Sequence, residues 1–263
     1  VTTHARKALV LVSGLTILAP RSSAASDSEQ ISDDERREAG CIDTYNDPRF
    51  DEPDNFHHNP FLLRARALGA AGTAGSGASD FLHGIGYGGR LDLDSPVWGL
   101  YSSSAGKDLG LAAGISGWAL AVPDRSRSFT GELRLGNALR TNGVGWSSAL
   151  GECTRRRVDL GLDFLRGRAG AFQDLSDPTH PTHFVSSVGF PGIVYRRMYP
   201  RWGFGVSAAV LDFRLAPGFA WGTNAESWVY YRSILLGVTV EGQFVPHPAV
   251  AATLGLGFFL EAP

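Results

Sequence analysis

Lysine is almost missing from this chain: Lys7 and Lys107 are the only two among 24 basic residues. A soluble β domain normally scatters Lys and Glu over its outer face, so this scarcity removes the usual solvent-facing surface. Cysteine is equally sparse. Cys41 and Cys153 are too few for a zinc cluster or a CxxC redox motif, and leave room for one bridge. Charge of one sign is also lacking. A formal net charge of −2 supplies no footprint for nucleic acid, and no zinc-finger spacing, RNA-binding signature or basic helix is present. Beyond the first 25 residues no run of about 18 apolar residues occurs, which excludes a helical membrane protein. Nor do strands alternate with long amphipathic helices, which argues against an α/β fold. The glycine-rich "GTAGSGASD" lacks the lysine and following helix of a phosphate loop and reads as a hairpin connection.

The chain does carry an export-like start. In "HARKALVLVSGLTILAPRSSAAS", Arg6 and Lys7 precede an apolar run from Ala8 to Ala19 and then small residues from Ser23 to Ala25. That order reads as a secretory signal peptide over residues 1–25, with an apolar run too short to span a bilayer. Export would permit a disulfide between Cys41 and Cys153. Residues 26–60 form an acidic leader, eleven acids against three arginines, expected to be mobile or only locally ordered. Asp43, Asp47, Asp51, Glu52 and Asp54 supply oxygens of the kind calcium needs, without EF-hand spacing, and read first as a solvated acidic stretch.

From Phe61 onward the pattern has a period of two. In "FLHGIGYGGRLDLD", Phe81, Ile85, Tyr87, Leu91 and Leu93 share one side; Gly84, Gly86, Gly88, Arg90 and Asp92 share the other. Phe129, Leu133, Leu135 and Leu139 oppose Thr130, Glu132, Arg134 and Arg140, and Val158, Leu160, Leu162 and Phe164 oppose Asp159, Gly161 and Asp163. The closing "PAVAATLGLGFFLEAP" sets Val250, Ala252, Leu254, Leu256, Phe258 and Leu260 against a nearly bare face. Successive side chains of a strand point to opposite faces, so the pattern predicts strands. Ten are expected, near 61–72, 80–93, 97–104, 108–121, 128–140, 155–166, 184–195, 203–215, 228–243 and 250–261. Many are long enough to cross a membrane when tilted.

The face opposite the apolar one is small, polar and charge-balanced, as the lumen of a small membrane barrel would be. Arg64, Arg66, Arg90, Asp92, Glu132, Arg134, Asp159, Asp163 and Glu241 would neutralise one another inside it. Trp98, Tyr101, Trp146, Tyr195, Tyr199, Trp202, Trp221, Trp228, Tyr230 and Tyr231 gather near strand ends, where a bilayer interface favours amphipathic rings; Trp118 does not fit that scheme. Strands in lipid must close into a ring, because hydrocarbon offers no partner to a free edge.

With these features the chain, from roughly Phe61 to Leu260, resembles bacterial outer-membrane β-barrel proteins of the small single-chain type. The resemblance implies an antiparallel barrel of about ten strands (8–12) in the outer membrane. It implies the lipid bilayer and the outer-membrane assembly machinery as partners, the latter reading a terminal aromatic residue whose place Phe258 would fill. Here the chain runs on through Phe259, Leu260 and "EAP". The implied role is structural anchoring or a narrow small-solute channel. A secreted soluble β-sandwich or ligand-binding barrel, and a membrane-barrel lipid hydrolase, are the competing readings. Starting Phe61 on the periplasmic side places outer loops near 73–79, 105–107, 141–154, 196–202 and 244–249, and inner ones at 173–183 and 216–227. On that count Cys153 and Cys41 lie on opposite sides.

No catalytic, cofactor-binding or metal-ligating residue stands out. His57 and His58 lie in the leader, His247 in a turn, and His83 beside Phe81 and Ile85. "DLSDPTHPTH" offers His180, His183, Asp174 and Asp177 as metal ligands or, equally, as a rigid polar loop. His183, Ser186 and Asp177 are the nearest local set for a serine hydrolase.

Overall fold

The computed structural model describes residues 33–42, 59–74, 84–103, 107–216, 218–245 and 247–262. A helix, α1 (Asp33–Ile42), precedes eleven strands: β1 (Phe61–Ala74), β2 (Gly84–Asp94), β3 (Trp98–Ser103), β4 (Lys107–Val122), β5 (Ser126–Ser147), β6 (Glu152–Asp174), β7 (Thr182–Met198), β8 (Trp202–Ala216), β9 (Ala220–Tyr231), β10 (Ile234–Val245) and β11 (Ala249–Ala262). Every pairing is antiparallel, β1 joins β11, and β2 joins β4. The fold is therefore a closed ten-stranded barrel. β3 is a continuation of β2 beyond the break at 95–97: β2 takes the later half of β4, Gly114–Ala121, and β3 the earlier part, Lys107–Leu111. The break has a local cause. Pro96 has no N–H for a ladder, and the Ser95 hydroxyl accepts the Ala113 N–H at 2.9 Å instead.

Register fixes the cylinder's shape. Partners followed once around from Leu62 run through Asp94, Gly114, Arg134, Arg166, Gly189, Asp212, Gly222, Gln243 and Ala249. They return to β1 at Ala74, twelve residues above the start. With ten strands that stagger sets a tilt of about 40° and a backbone radius of roughly 10 Å, a width that side chains can fill. Phe61 and Ala262 mark what is here called the lower end.

The apolar faces point outward. On β11, Leu254 is 56% and Phe258 65% exposed, whereas Ala251 and Phe259 on the other face are 6% and 5% exposed. Ile85, Leu91, Phe129, Leu133, Leu160 and Leu162 are exposed in the same way. On β10 the outward face runs from Ile234 at the lower end to Phe244 at the upper. Ten residues at about 3.3 Å each, tilted by about 40°, make an apolar band roughly 25 Å tall.

The bare face of the last strand now has a reason. Gly237 and Gly255 are cross-strand partners on the inner wall, and the Arg66 side chain lies against both. A Cβ at Gly237 would collide with Arg66 Nη1. Glycine there is space for a guanidinium.

Two slips in the sequence reading offset each other. It counts β2 and β3 as two barrel strands, and it merges β9 with β10 into 228–243 across the tight turn at Arg232–Ser233. The total of ten survives, but up and down are inverted between those points. The connections at 148–151 and 199–201 are therefore at the lower end, and 175–181 and 218–219 at the upper, opposite to expectation. The cysteine conflict disappears with them. Cys153 opens β6 at the lower end, and it is bonded to Cys41 of α1. Within the stretch read as the acidic leader, α1 packs against β5 and β6 there, and the Arg37 guanidinium lies 5.1 Å from the Trp146 ring centre. The signal-peptide reading, the Asp43–Asp54 cluster, His57, His58 and His83 fall outside the described residues.

Candidate functional site

Among the described residues, chemically capable side chains converge in the lumen, and they are arranged in layers. Lowest is an apolar and aromatic plug of Leu62, Met198, Trp228, Tyr230, Leu235 and Phe259. Tyr230 and Phe259 stack with ring centres 4.1 Å apart, and the Tyr230 hydroxyl donates to the Tyr199 carbonyl at 2.5 Å. The facing wall is cut back to admit these rings, since a Cβ at Gly205 would sit 2.5 Å from the Trp228 ring. Arg64 caps the plug, 5.2 Å from the Trp228 ring centre, a cation–π contact.

Above it lie layers of ion pairs. Asp94 accepts from Arg64 at 3.0 Å, Arg134 at 2.5 Å and Arg196 at 2.6 Å. Arg66 and Arg90 alternate with Asp92 and Glu226 in a closed square with sides of 2.6 to 2.9 Å. Glu132 accepts from Arg166 at 2.8 Å and Arg168 at 2.6 Å. To one side, Arg140 holds Asp159 through two bonds of 2.7 and 2.8 Å. These contacts cross the lumen: Arg196 of β7 and Asp94 of β2 stand four strands apart around the ring. Charges this deep are tolerable only when paired, because an isolated one costs several kcal/mol.

All nine residues expected to face inward do so. Arg66, Arg90, Asp92, Glu132, Arg134 and Asp159 join Arg64 in the ion pairs, Glu241 pairs with Arg168 at 2.9 Å, and Asp163 lines a cavity of about 30 Å³ beside Arg134. Asp94, Arg157, Arg166, Arg168, Arg196, Asp212 and Glu226 face inward beyond the expected set, and Glu261, on the bare face of the last strand, pairs with Arg157. For Arg166 and Arg168 the reason is a bulge: the β5–β6 register slips between Leu135 and Gly136, so Phe164 and Leu165 both point outward. Below the bulge the inward positions of β6 are odd, above it even, which carries Arg166 and Arg168 inside.

The aromatic expectation needs correction. Trp98, Tyr101 and Tyr231 are outward and exposed as expected, but Tyr199, Trp228 and Tyr230 are buried. Trp228 and Tyr230 share the parity of Asn224 and Glu226, so they fill the lumen's lower end. Trp118, which fitted no rim, faces the lumen with Arg90 and Arg168 guanidinium groups 5.0 and 5.4 Å from its ring centre.

The upper end is hollow. A vestibule of about 160 Å³ is floored by Trp118, Arg168, Asp212 and Glu241 and walled by small residues such as Ser126, Ser128, Ser187, Gly222 and Ala251. The weighed catalytic sets do not assemble. His183 shares its face with Val185 and Ser187, which line the vestibule, so Ser186 three residues on takes the opposite face. The Thr179 N–H and hydroxyl both donate to Asp177 Oδ1, holding that carboxyl below the usual range. Asp174 is likewise occupied by Ser176, and among the described residues no three potential ligands converge on a metal position. His247 sits at a turn, its carbonyl accepting from Gln243 Nε2 at 2.9 Å.

No protein-family model matches this chain, and no curated protein matches it.

Proposed function

We propose that this chain is a bacterial outer-membrane β-barrel whose role is structural anchoring, not solute passage. The observation that carries the reading is the inverted wall: leucines and phenylalanines look outward over a band roughly 25 Å tall, while arginines and carboxylates fill the inside. In water such a surface would far exceed the apolar patch that a soluble monomer tolerates. Complete ring closure and an even strand count support the same reading, since lipid satisfies no free strand edge. The outward-facing Trp98, Tyr101, Tyr231 and Phe258 suit a lower interface, Tyr87, Phe129, Phe184 and Phe244 an upper one.

Anchoring is preferred to a narrow channel because ion pairs span the lumen and an aromatic plug closes its lower end. The lipid-hydrolase reading loses its local residue set, since His183 and Ser186 face opposite ways. In this reading the partners are the bilayer and the assembly machinery that inserts strands such as β11.

Extraction decides it. Membranes from cells making the full chain should retain the protein through high salt and carbonate and release it in detergent. Recovery as a detergent-free monomer with soluble periplasmic proteins would overturn the membrane reading in favour of a soluble barrel.

A further inference from the structure

We infer, resting on the membrane reading above, that Arg201 and Arg232 at the lower rim bind the phosphate of an anionic phospholipid. Charge is the first ground. Residues 196–211 and 227–240, which form the β7–β8 and β9–β10 turns and the strand ends beside them, contain no carboxylate. Of the arginines there, Arg196 turns inward to Asp94. Arg201 and Arg232 are exposed at the two turns, and among the described residues neither meets a carboxylate. The Arg232 N–H donates to the Arg201 carbonyl at 2.5 Å, so the two side chains leave from adjoining backbone. The upper end differs, since exposed Arg125 and Arg127 stand among Asp124, Asp174 and Asp177.

Height is the second ground. Trp202, Tyr231, Ile234 and Phe258 are successive cross-strand partners, and together they make an outward-facing row across β8 to β11. Tyr231, Ile234 and Phe258 are exposed. Arg201 and Arg232 each lie one residue from that row, Arg201 beside Trp202 and Arg232 beside Tyr231. In a bilayer the row marks the edge of the hydrocarbon, and long basic side chains there reach the level of the lipid phosphates.

The rim is also built in advance. Trp202 stacks on Tyr199 with ring centres 4.9 Å apart and donates from Nε1 to Ser147 Oγ at 2.6 Å. The Arg232 guanidinium lies 5.8 Å from the Tyr231 ring centre. With a φ of 55°, Arg232 occupies a place in a tight turn that Gly or Asn fills with less strain, so reversal of the chain alone gives no reason for arginine. Guanidinium groups match phosphate oxygens in charge and in fork geometry. A zwitterionic lipid would bring its own cation to this unneutralised pair, whereas an anionic lipid brings none.

The test uses the full chain in a non-ionic detergent, titrated with dioleoylphosphatidylglycerol or dioleoylphosphatidylcholine and read by native mass spectrometry as the first bound lipid. The acyl chains are identical, so head groups alone set the ratio. Phosphatidylglycerol should bind about fivefold more tightly, the effect of roughly one arginine at an anionic surface. Arg201→Gln with Arg232→Asn, where asparagine tolerates the positive φ, should bring the ratio close to one. Arg125→Gln with Arg127→Gln, at the upper end, should leave it unchanged. Equal binding of both lipids by the wild type overturns the site. So does a preference that survives in the lower-rim variant or falls equally in the upper-rim one. In a parallel arm, the wild type should fold into vesicles of either lipid, seen by its heat-dependent gel shift. Folding there without any head-group preference sinks the lipid site and leaves the membrane reading standing; failure to enter both kinds of vesicle sinks the two together.

Discussion

At the lower end of the barrel the inward positions carry Leu62, Tyr230, Leu235 and Phe259; eight residues up the same strands they carry Ala70, Gly222, Gln243 and Ala251. Backbone radius is set by strand number and stagger, so both ends have the same width. Side-chain volume alone makes one a stacked aromatic plug and the other a vestibule. Between them stand the ion-pair layers, whose salt bridges reach across the lumen.

The largest effect should come from breaking those layers. Glu226 accepts from Arg66 and Arg90 and lies 3.8 Å from Arg64. Glu226→Ala leaves those arginines facing one another in a buried site, a loss of about 3–5 kcal/mol. Urea unfolding in micelles, followed by the heat-dependent gel shift of the folded barrel, should show it. An unchanged midpoint would mean that water, not the carboxylate, compensates these arginines.

Unsealing the plug should cost somewhat less. Trp228→Ala removes a ring packed on Phe259 and Arg64, with an expected loss of about 3 kcal/mol. Ala251→Leu, at the hollow end, should leave stability nearly unchanged, because the added atoms enter existing space. Equal costs at the two ends would contradict the contrast between plug and vestibule. Neither change should produce conductance in a planar bilayer, since the ion-pair layers stay in place.

Comparison of mid-height with rim tests the outer wall. Leu254 faces outward near the middle of β11 and Leu260 near its lower end. In lipid, Leu254→Arg should cost about 2–4 kcal/mol and Leu260→Arg about 0–1, because the penalty depends on depth. For a barrel in water both should be near zero. This pair separates the membrane and soluble readings without fractionation.

Which parts of this were legible in the sequence follows from what a period of two encodes. Alternation reports which residues share a face, so the inward set from Arg64 to Glu241 was readable, and so was a closed all-β cylinder. It says nothing about where a strand pauses or folds back. β2 and β3 are one course interrupted at Pro96, yet the break looks like a turn; the β9–β10 reversal at Arg232 and Ser233 carries no Gly or Pro and looks like a strand. Arg232 takes a positive φ of 55°, a conformation that its residue type does not announce. Bulges hide information in the same way: once Phe164 and Leu165 both face out, parity read from Asp159 misassigns everything above. The plug was legible in principle, since Trp228 and Tyr230 have the parity of Glu226, but ring chemistry suggests an interface as readily as a lumen. The vestibule was not legible, because a cavity is a sum over strands distant in sequence.

The smallest effect on the barrel should come from the disulfide, for a reason peculiar to its place. Cys41 and Cys153 are 112 residues apart, and a cross-link of that span ordinarily stabilises by restricting the unfolded chain. Here it ties α1 to the lower end, while β1 and β11 close the ring without it. Cys41→Ser with Cys153→Ser frees α1 in the folded protein as well as in the unfolded one, so much of the entropy gained on unfolding is gained on folding too. The urea midpoint of the barrel should therefore move by less than the equivalent of about 1 kcal/mol. Local access should change much more, because Arg36 and Arg37 lie in α1, and the bridge and the contacts with β5 and β6 hold the helix docked. Limited trypsin digestion should cut the double variant there at least tenfold faster than the wild type, with the barrel itself intact. A large fall in the barrel's own midpoint would show instead that the docked helix is part of the lower seal, continuous with the aromatic plug above it.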